Sequence, residues 1–396
     1  MEAITTGKRG FYGWWLVGAI FVVLTTTAGL GFYNASVILR SAKVELDASV
    51  TVVSGATALF FGVSGITGFV LAKAMDRVDI RWFYAWGAVI GGGALAGLRY
   101  VDSVLDLYVF FVVFGVAFAT AGLVPSVTVV ARWFEVKRSV ALSIASTGLS
   151  IGGMVITPVV ARLLDTRTLA ELGPWMGLVW VVGVLPISVL LIRSWPSDIG
   201  LRPYGAAEPT GSVGGAGEVL AVPGATFVDA RRTRFFRLLA ATYAVTFFAQ
   251  VGALAQLFTL VSERQSTGVA ASVLSILALS SVCGRLVGGV VVTRVSITAM
   301  TGSLILLQGV ALAAVALADS ATGLRLAAAL FGISVGNVLM LQPLLLADAF
   351  GVREYSRIYS FNQLFGTAGV AGGPFVLGVL RDVGDYRLAF LFAAGC

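Results

Sequence analysis

The sequence predicts an all-α membrane protein built as two six-helix bundles, with twelve transmembrane helices around a central cavity. Composition is the first reason. The chain of 396 residues is 58% hydrophobic and only 12% charged, with a mean hydropathy of +0.94, whereas soluble domains carry about 25% charged residues. The second reason is a recurrence of apolar runs of at least about 18 to 20 residues, the length a helix needs to cross roughly 30 Å of hydrocarbon. Such runs form helices because a helix satisfies its own backbone polar groups within one segment. A long polar break near the middle divides the runs into two sets of six.

In chain order the first span covers 11–39. Lys8 and Arg9 precede it as they would a signal peptide, but the run far exceeds a 7–15-residue apolar core and no cleavage site follows, so it is read as a retained span. Spans 50–72 and 82–100 are separated by the charged loop "KAMDRVDIRW", and spans 105–130 and 139–161 by "ARWFEVKRS". The sixth, 174–193, completes the first bundle, residues 1–193. Residues 194–237 hold a stretch rich in Gly, Ala and Pro that ends in "DARRTR", the composition of a linker. Spans 238–262, 268–293, 297–318, 322–347 and 356–380 are punctuated by "ERQST", "RVS", "DSA" and "DAFGVREY", and belong to a second bundle, 238–396. The final segment, "YRLAFLFAAGC" from Tyr386, has 11 residues, about 16 Å of helix, and reads as a truncated twelfth span.

Charge placement orients these spans. With the N-terminus inside, 17 of the 27 Lys and Arg residues fall in cytoplasmic loops, which places both termini in the cytoplasm of a cell (inner or plasma) membrane. The net charge of +7 therefore reports topology; the basic residues form no nucleic-acid-binding stripe. Arg231, Arg232 and Arg234 read as an interfacial anchor attracted to anionic membrane lipid. Histidine is absent and there are two cysteines, Cys283 and Cys396, so no disulfide framework or metal-ligand cluster can be assembled. The glycine patterns "GLSIGG" and "GTAGVAGG" suit close helix packing, since no Walker-type Lys-Ser/Thr follows and no strand precedes them. No cofactor is expected, and no constellation for enzymatic catalysis is present.

The two halves repeat. "WFEVKRSVALSIASTGLSIGGMVITPVV" aligns with "AFGVREYSRIYSFNQLFGTAGVAGGPFV", pairing Phe134 with Phe350, Val136 with Val352, Lys137 with Arg353, Gly153 with Gly369 and Pro158 with Pro374. Repeated halves imply a transporter that binds its substrate near the midplane and rocks one half against the other. With "GFYGWWLV" opening the first span, "WPSDIGLRPYG" after the sixth and "GRLVGG" in the eighth, the chain resembles the major facilitator superfamily. More narrowly it resembles the monocarboxylate-porter branch and the related bacterial oxalate/formate exchangers. The superfamily's loop between spans two and three is eroded here: "GFVLAKAMDRVDIRW" keeps Asp76, Arg77 and Arg81, while Asp79 stands near where a glycine is usual. The resemblance implies that Asp76, Arg77 and Arg81 form a gate network. The equivalent loop of the second half keeps only Arg294.

One cation stands deep inside a span, far from either end. Arg285, in "LSSVCGRLVGGVVVTR", lies about eight residues, or roughly 12 Å of helix, from the end of its span, too far for its side chain to snorkel to water. A charge at mid-membrane costs at least about 2.5 kcal/mol, so it must face a bundle interior or an aqueous cavity. Asp and Glu sit in loops or at span ends, away from the middle of any span, the nearest to it being Asp348 at the end of the tenth. Guanidinium matches a carboxylate bidentately, so a small carboxylate substrate is one reading; an arginine held by backbone carbonyls or by Asn and Gln from neighbouring helices is the other.

The branch resemblance implies further site residues. Monocarboxylate porters and oxalate exchangers carry an arginine in the eighth span, which Arg285 matches, and Ser281 lies one turn before it on the same face, where animal members often have aspartate. Tyr33 or Asn34 stands in for the branch's first-span lysine, and Gln256 occupies a place where relatives commonly have histidine. Tyr359 and Asn362 share one face of the eleventh span, with Asn362 where the oxalate exchanger has a second basic residue. One cation in place of two suits a monoanion. Gln256, Asn337 and Gln342 could equally be polar contacts between helices. The resulting expectation is a monomeric transporter of a lactate- or pyruvate-class monocarboxylate, working by alternating access with a proton. Transport of another small organic anion by exchange, transport of a drug, or a sensor without turnover are the alternatives.

Overall fold

The computed structural model describes residues 11–47, 50–206 and 224–396. Lys8, Arg9 and the middle of the predicted linker lie outside the described residues. The rest is helical, with no strand among the described residues and two isolated bridges.

The helices of the first half are α1 (Tyr12–Glu45), α2 (Val50–Met75), α3 (Ile80–Gly97), α4 (Val104–Trp133), α5 (Arg138–Leu164) and α6 (Leu169–Leu191). Those of the second are α7 (Arg234–Arg264), α8 (Thr267–Val291), α9 (Ile297–Leu317), α10 (Ala321–Phe350), α11 (Tyr355–Val383) and α12 (Tyr386–Gly395). Ten of the twelve are long and apolar enough to cross a membrane. The two others are α3, 18 residues in which Trp, Tyr and Gly dilute the aliphatic content, and α12, 10 residues. Several helices begin where a side-chain oxygen takes up an orphan backbone N–H. Asp79 caps α3, Thr168 and Glu171 form a reciprocal capping box on α6, and Thr233 and Ser266 cap α7 and α8. The caps start α6 five residues and α7 four residues before the apolar periodicity alone suggested, because polar first turns remain helical when their donors are satisfied.

Two helices are interrupted. In α1 the stretch Ala28–Tyr33 widens into a π-helical turn, which changes the direction of Tyr33 relative to a continuous α-helix. Gly122 breaks α4 into Val104–Ala121 and Leu123–Trp133.

Within the halves, α1 packs on α5 and α7 on α11 through glycines. A Cβ at Gly152 would collide with the Thr25 carbonyl oxygen, and one at Gly369 with that of Ala244. Gly152, one residue before the position that the repeat alignment pairs with Gly369, thus does in α5 what Gly369 does in α11. Backbone cannot swing aside as a side chain can. Gly152→Ala and Gly369→Ala are each expected to cost about 1 to 3 kcal/mol or more by overpacking and to lower the thermal midpoint of the purified protein. Gly302→Ala, where nothing lies within 4 Å, should leave that midpoint in place.

The halves meet along two helix pairs, α2 with α11 and α5 with α8. At one end of the molecule, here called the basic end, the segments 75–81, 132–138, 192–205, 224–237 and 350–355 come together. The linker's described ends close it. Tyr204 exchanges backbone hydrogen bonds with Trp133, Glu135 and Val136 and packs on Phe11, Trp14 and Phe134. Gly224 bridges to Gly351, and the short helix Phe227–Arg232 wedges Phe227 between Phe69 of α2 and Phe361 of α11.

Candidate functional site

Arg285 is 3% exposed, on the face of α8 turned toward α5 and α10. Its Nε donates to the Gly336 carbonyl of α10 at 2.7 Å, and its Nη1 donates to the Ser146 carbonyl of α5. In return, the Ser143 hydroxyl of α5 donates to the backbone carbonyl of Arg285. The guanidinium is therefore held by neutral carbonyls, and one of them belongs to the opposite half. Among the described residues no carboxylate forms an ion pair with it. Tyr33, swung round by the π-helical turn of α1, is near enough for its phenol to interact electrostatically with the guanidinium. Its ring also lies against Gly153 of α5. Arg285 and Tyr33, from different halves, are the two predicted site residues that the fold brings into direct electrostatic range.

The other predicted substrate-site residues occupy four separate places. Ser281 is buried one turn before Arg285, its backbone against Gly336. Asn34 is fully buried in the first half, where its amide donates to the Met176 sulfur of α6 at 3.6 Å. Gln256, on α7, faces Gly378 of α11. Tyr359 and Asn362 lie together on α11, both fully buried. Tyr359 stacks on Tyr355, and Asn362 Oδ1 accepts a hydrogen bond of 2.7 Å from Gln342 of α10. That cluster holds three polar atoms without partners, the Tyr359 hydroxyl, the Asn362 amide nitrogen and Gln342 Oε1, and Asn337 Oδ1 on α10 is a fourth. Buried polar atoms of this kind are costly unless a water or ligand satisfies them. No hydrogen bond joins the cluster to Arg285 in this conformation; α10 connects them, carrying Gly336 at one and Gln342 at the other.

At the basic end Asp76 pairs with Arg132 at 2.9 Å, a guanidinium with no side-chain exposure that also lies 4.3 Å from the Trp195 ring centroid. Asp76 accepts hydrogen bonds from Ser356 of α11, in the other half. Burial pushes the Asp76 carboxyl up, although Arg132 and Ser356 act in the opposite direction. Ser356 in turn donates to Thr128 of α4 at 3.2 Å. The other two predicted gate residues lie apart from this cluster. Arg81 pairs with Asp79, whose carboxylate caps α3, and exposed Arg77 forms no ion pair among the described residues.

Sequence reasoning missed Arg132 as a site residue and counted it only toward topology. The signal was available: it ends the apolar run "LVPSVTVVARW" as a buried cation, the same anomaly that singled out Arg285. Ser143 and Ser146 carried no such signal, because a serine in a small-residue helix is indistinguishable from packing. Among the described residues no group of three or more His, Cys, Asp or Glu could hold a metal ion.

The family model of the Major Facilitator Superfamily matches residues 20–374. Among curated proteins, the chain is similar to an MFS-type transporter of Gibberella moniliformis, at 25% identity over 98% of this chain and 88% of that one. It is similar to the aspyridones efflux protein apdF of Emericella nidulans, at 20% over 95% and 73%. It is also similar to monocarboxylate transporter 13 of Rattus norvegicus, at 26% over 77% and 69%. Among solved structures, the human organic anion transporter MFSD10 (TETRAN) superposes with a TM-score of 0.71 at 14% identity, covering 97% of both chains.

Proposed function

The chain belongs to the Major Facilitator Superfamily, and from that premise we propose that this multi-pass membrane transporter moves a small monocarboxylate of the lactate or pyruvate class, together with a proton, by alternating access. The observation that carries the substrate class is Arg285: a buried cation between the halves, with no acidic partner among the described residues, whose donors rest on neutral carbonyls. A carboxylate accepts charge-assisted, bidentate hydrogen bonds that are about twice as strong as neutral ones, so it outcompetes those carbonyls for the guanidinium fork.

The mechanism follows from where the carbonyls sit. Taking the Ser146 carbonyl off Arg285 removes a tie between α5 and α8, while the substrate gains a partner on α8. Substrate binding and the loosening of the halves are then one event, and binding energy biases the conformational equilibrium by differential affinity for the two states. Tyr33 flanks the carboxylate from the first half. The unpartnered atoms of Tyr359, Asn362, Gln342 and Asn337 supply hydrogen bonds to substrate oxygens once α5 withdraws. Ser281 and Gln256 contribute to the lining in other stages of the cycle, and Asn34 steadies the helix that carries Tyr33. Asp76, with Arg77 and Arg81 at the same end, forms the gate that closes the basic end, which faces the cytoplasm by its excess of Lys and Arg. The protein works as a monomer without a cofactor, and takes no nucleic acid.

Proton coupling rests on the resemblance to monocarboxylate porters. A second reading, export of a larger organic anion or drug, draws on the similarity to an efflux protein. One experiment separates them: uptake of radiolabelled lactate and pyruvate into proteoliposomes with and without an inward acid gradient. Saturable uptake accelerated by the gradient is the expected result. Uptake that ignores the gradient but is driven by internal anion would replace symport with exchange, and no uptake or counterflow of any monocarboxylate by folded protein would remove the substrate class.

A further inference from the structure

A cleft of about 640 Å³ opens beside the start of α7, away from Arg285. Its mouth carries Arg231 and Arg232 from the short linker helix and Arg237 from α7, and its apolar wall is formed by Phe236, Phe361 and Phe365. No acidic side chain lines it among the described residues, and none of the three arginines forms an ion pair there. The Arg231 guanidinium lies 5.6 Å from the Phe227 ring centroid, an arrangement that leaves its N–H groups open to an acceptor. Three guanidiniums with no ion pair among the described residues, over an aromatic floor at the level where a membrane helix begins, complement a ligand with an anionic head and an apolar tail. Arginine provides the planar donor fork that phosphate oxygens match.

We propose that this cleft is a binding site for an anionic phospholipid, with the headgroup phosphate on Arg231, Arg232 and Arg237 and an acyl chain against Phe236, Phe361 and Phe365. Basic side chains at a membrane surface draw anionic lipid in general; the cleft adds a shaped apolar compartment that an inorganic anion does not need. The position gives the lipid a consequence. Phe361 is both the floor of the cleft and a partner of Phe227, which sits against Phe69 of the opposite half. A lipid seated there holds the linker helix on the join between α2 and α11 and favours the state closed at the basic end.

The test is competition for retained lipid. The full chain, purified in detergent, is equilibrated with equal amounts of phosphatidylglycerol and phosphatidylcholine of the same acyl length, and bound lipid is counted by native mass spectrometry. The wild type is expected to prefer phosphatidylglycerol. Each guanidinium near an anionic headgroup contributes roughly fivefold, so R231Q/R232Q/R237Q should lose about a hundredfold of that preference. R40Q/R162Q/R167Q, three arginines at the opposite end, should keep it. Ala241→Trp fills the cleft from an exposed position and leaves every charge in place, so it should also release the lipid. Equal retention of the two lipids by the wild type would overturn the proposal, as would an undiminished preference in the triple variant or in Ala241→Trp. Displacement of the lipid by millimolar inorganic phosphate would overturn the acyl-chain half of it.

Discussion

Arg285→Gln is expected to abolish monocarboxylate uptake while leaving a folded protein. Removing one partner of a buried, hydrogen-bonded charge pair costs about 2 to 5 kcal/mol, a fall of roughly 30-fold to several thousandfold in the uptake rate per unit substrate. The fold should survive because the partners of Arg285 are neutral carbonyls. A glutamine amide can still donate to one of them, and the change also removes the desolvation cost of a buried charge. Arg285→Lys should lose nearly as much transport despite keeping the charge, since an ammonium cannot present the planar fork. Proteoliposome uptake, read beside thermal unfolding of the same preparations, checks both halves of the expectation. Wild-type transport in Arg285→Gln would sink the assignment of Arg285 as carboxylate ligand.

The second large effect is at the basic end. Asp76→Ala leaves Arg132 buried with no counter-charge and is expected to cost about 3 to 5 kcal/mol. The Arg132 side chain has no exposure and that of Asp76 is 11% exposed, so this pair escapes the solvent screening that makes surface pairs weak. Asp76→Asn keeps an acceptor for Arg132 and should cost far less. The same residue makes a pH prediction. Because burial raises the Asp76 carboxyl above its ordinary range despite Arg132 and Ser356, the folded protein binds that proton more tightly than the unfolded chain. Its contribution to stability is full below the ordinary aspartate range and is lost as pH rises through the raised value. Thermal midpoints measured from acid to neutral pH should decline over that window in the wild type and stay flatter in Asp76→Asn. An equal slope in both would assign the dependence to another group.

Much of the molecule could be read from the order of residues alone. Apolar runs marked the helices because a segment that crosses hydrocarbon must be largely apolar, and a helix satisfies its backbone polar groups within that one segment. The misread boundaries have a local cause: α6 and α7 begin in polar turns whose capping residues, Thr168 and Thr233, hold them helical. Arg285 stood out for the same reason that the spans did, since a fixed charge within an apolar run has no cheap environment. The superfamily, too, was legible, in motifs that survive at loops and helix ends.

The identities of the partners were not legible. Ser146 and Arg285 are separated by 139 residues, and Asp76 and Arg132 by 56. Whether such pairs meet depends on how whole helices are rotated and docked, which periodicity does not encode to within a residue. The family resemblance implied a gate network of Asp76, Arg77 and Arg81, but neighbours at the end of a helix point in different directions, and the ion-pair partner of Asp76 is Arg132 on another helix. The sequence by itself determined that a cation stands within an apolar membrane helix, away from its ends. Only the tertiary structure decided that this cation is held by the Ser146 carbonyl of α5, because that contact exists only where α5 and α8 dock in register.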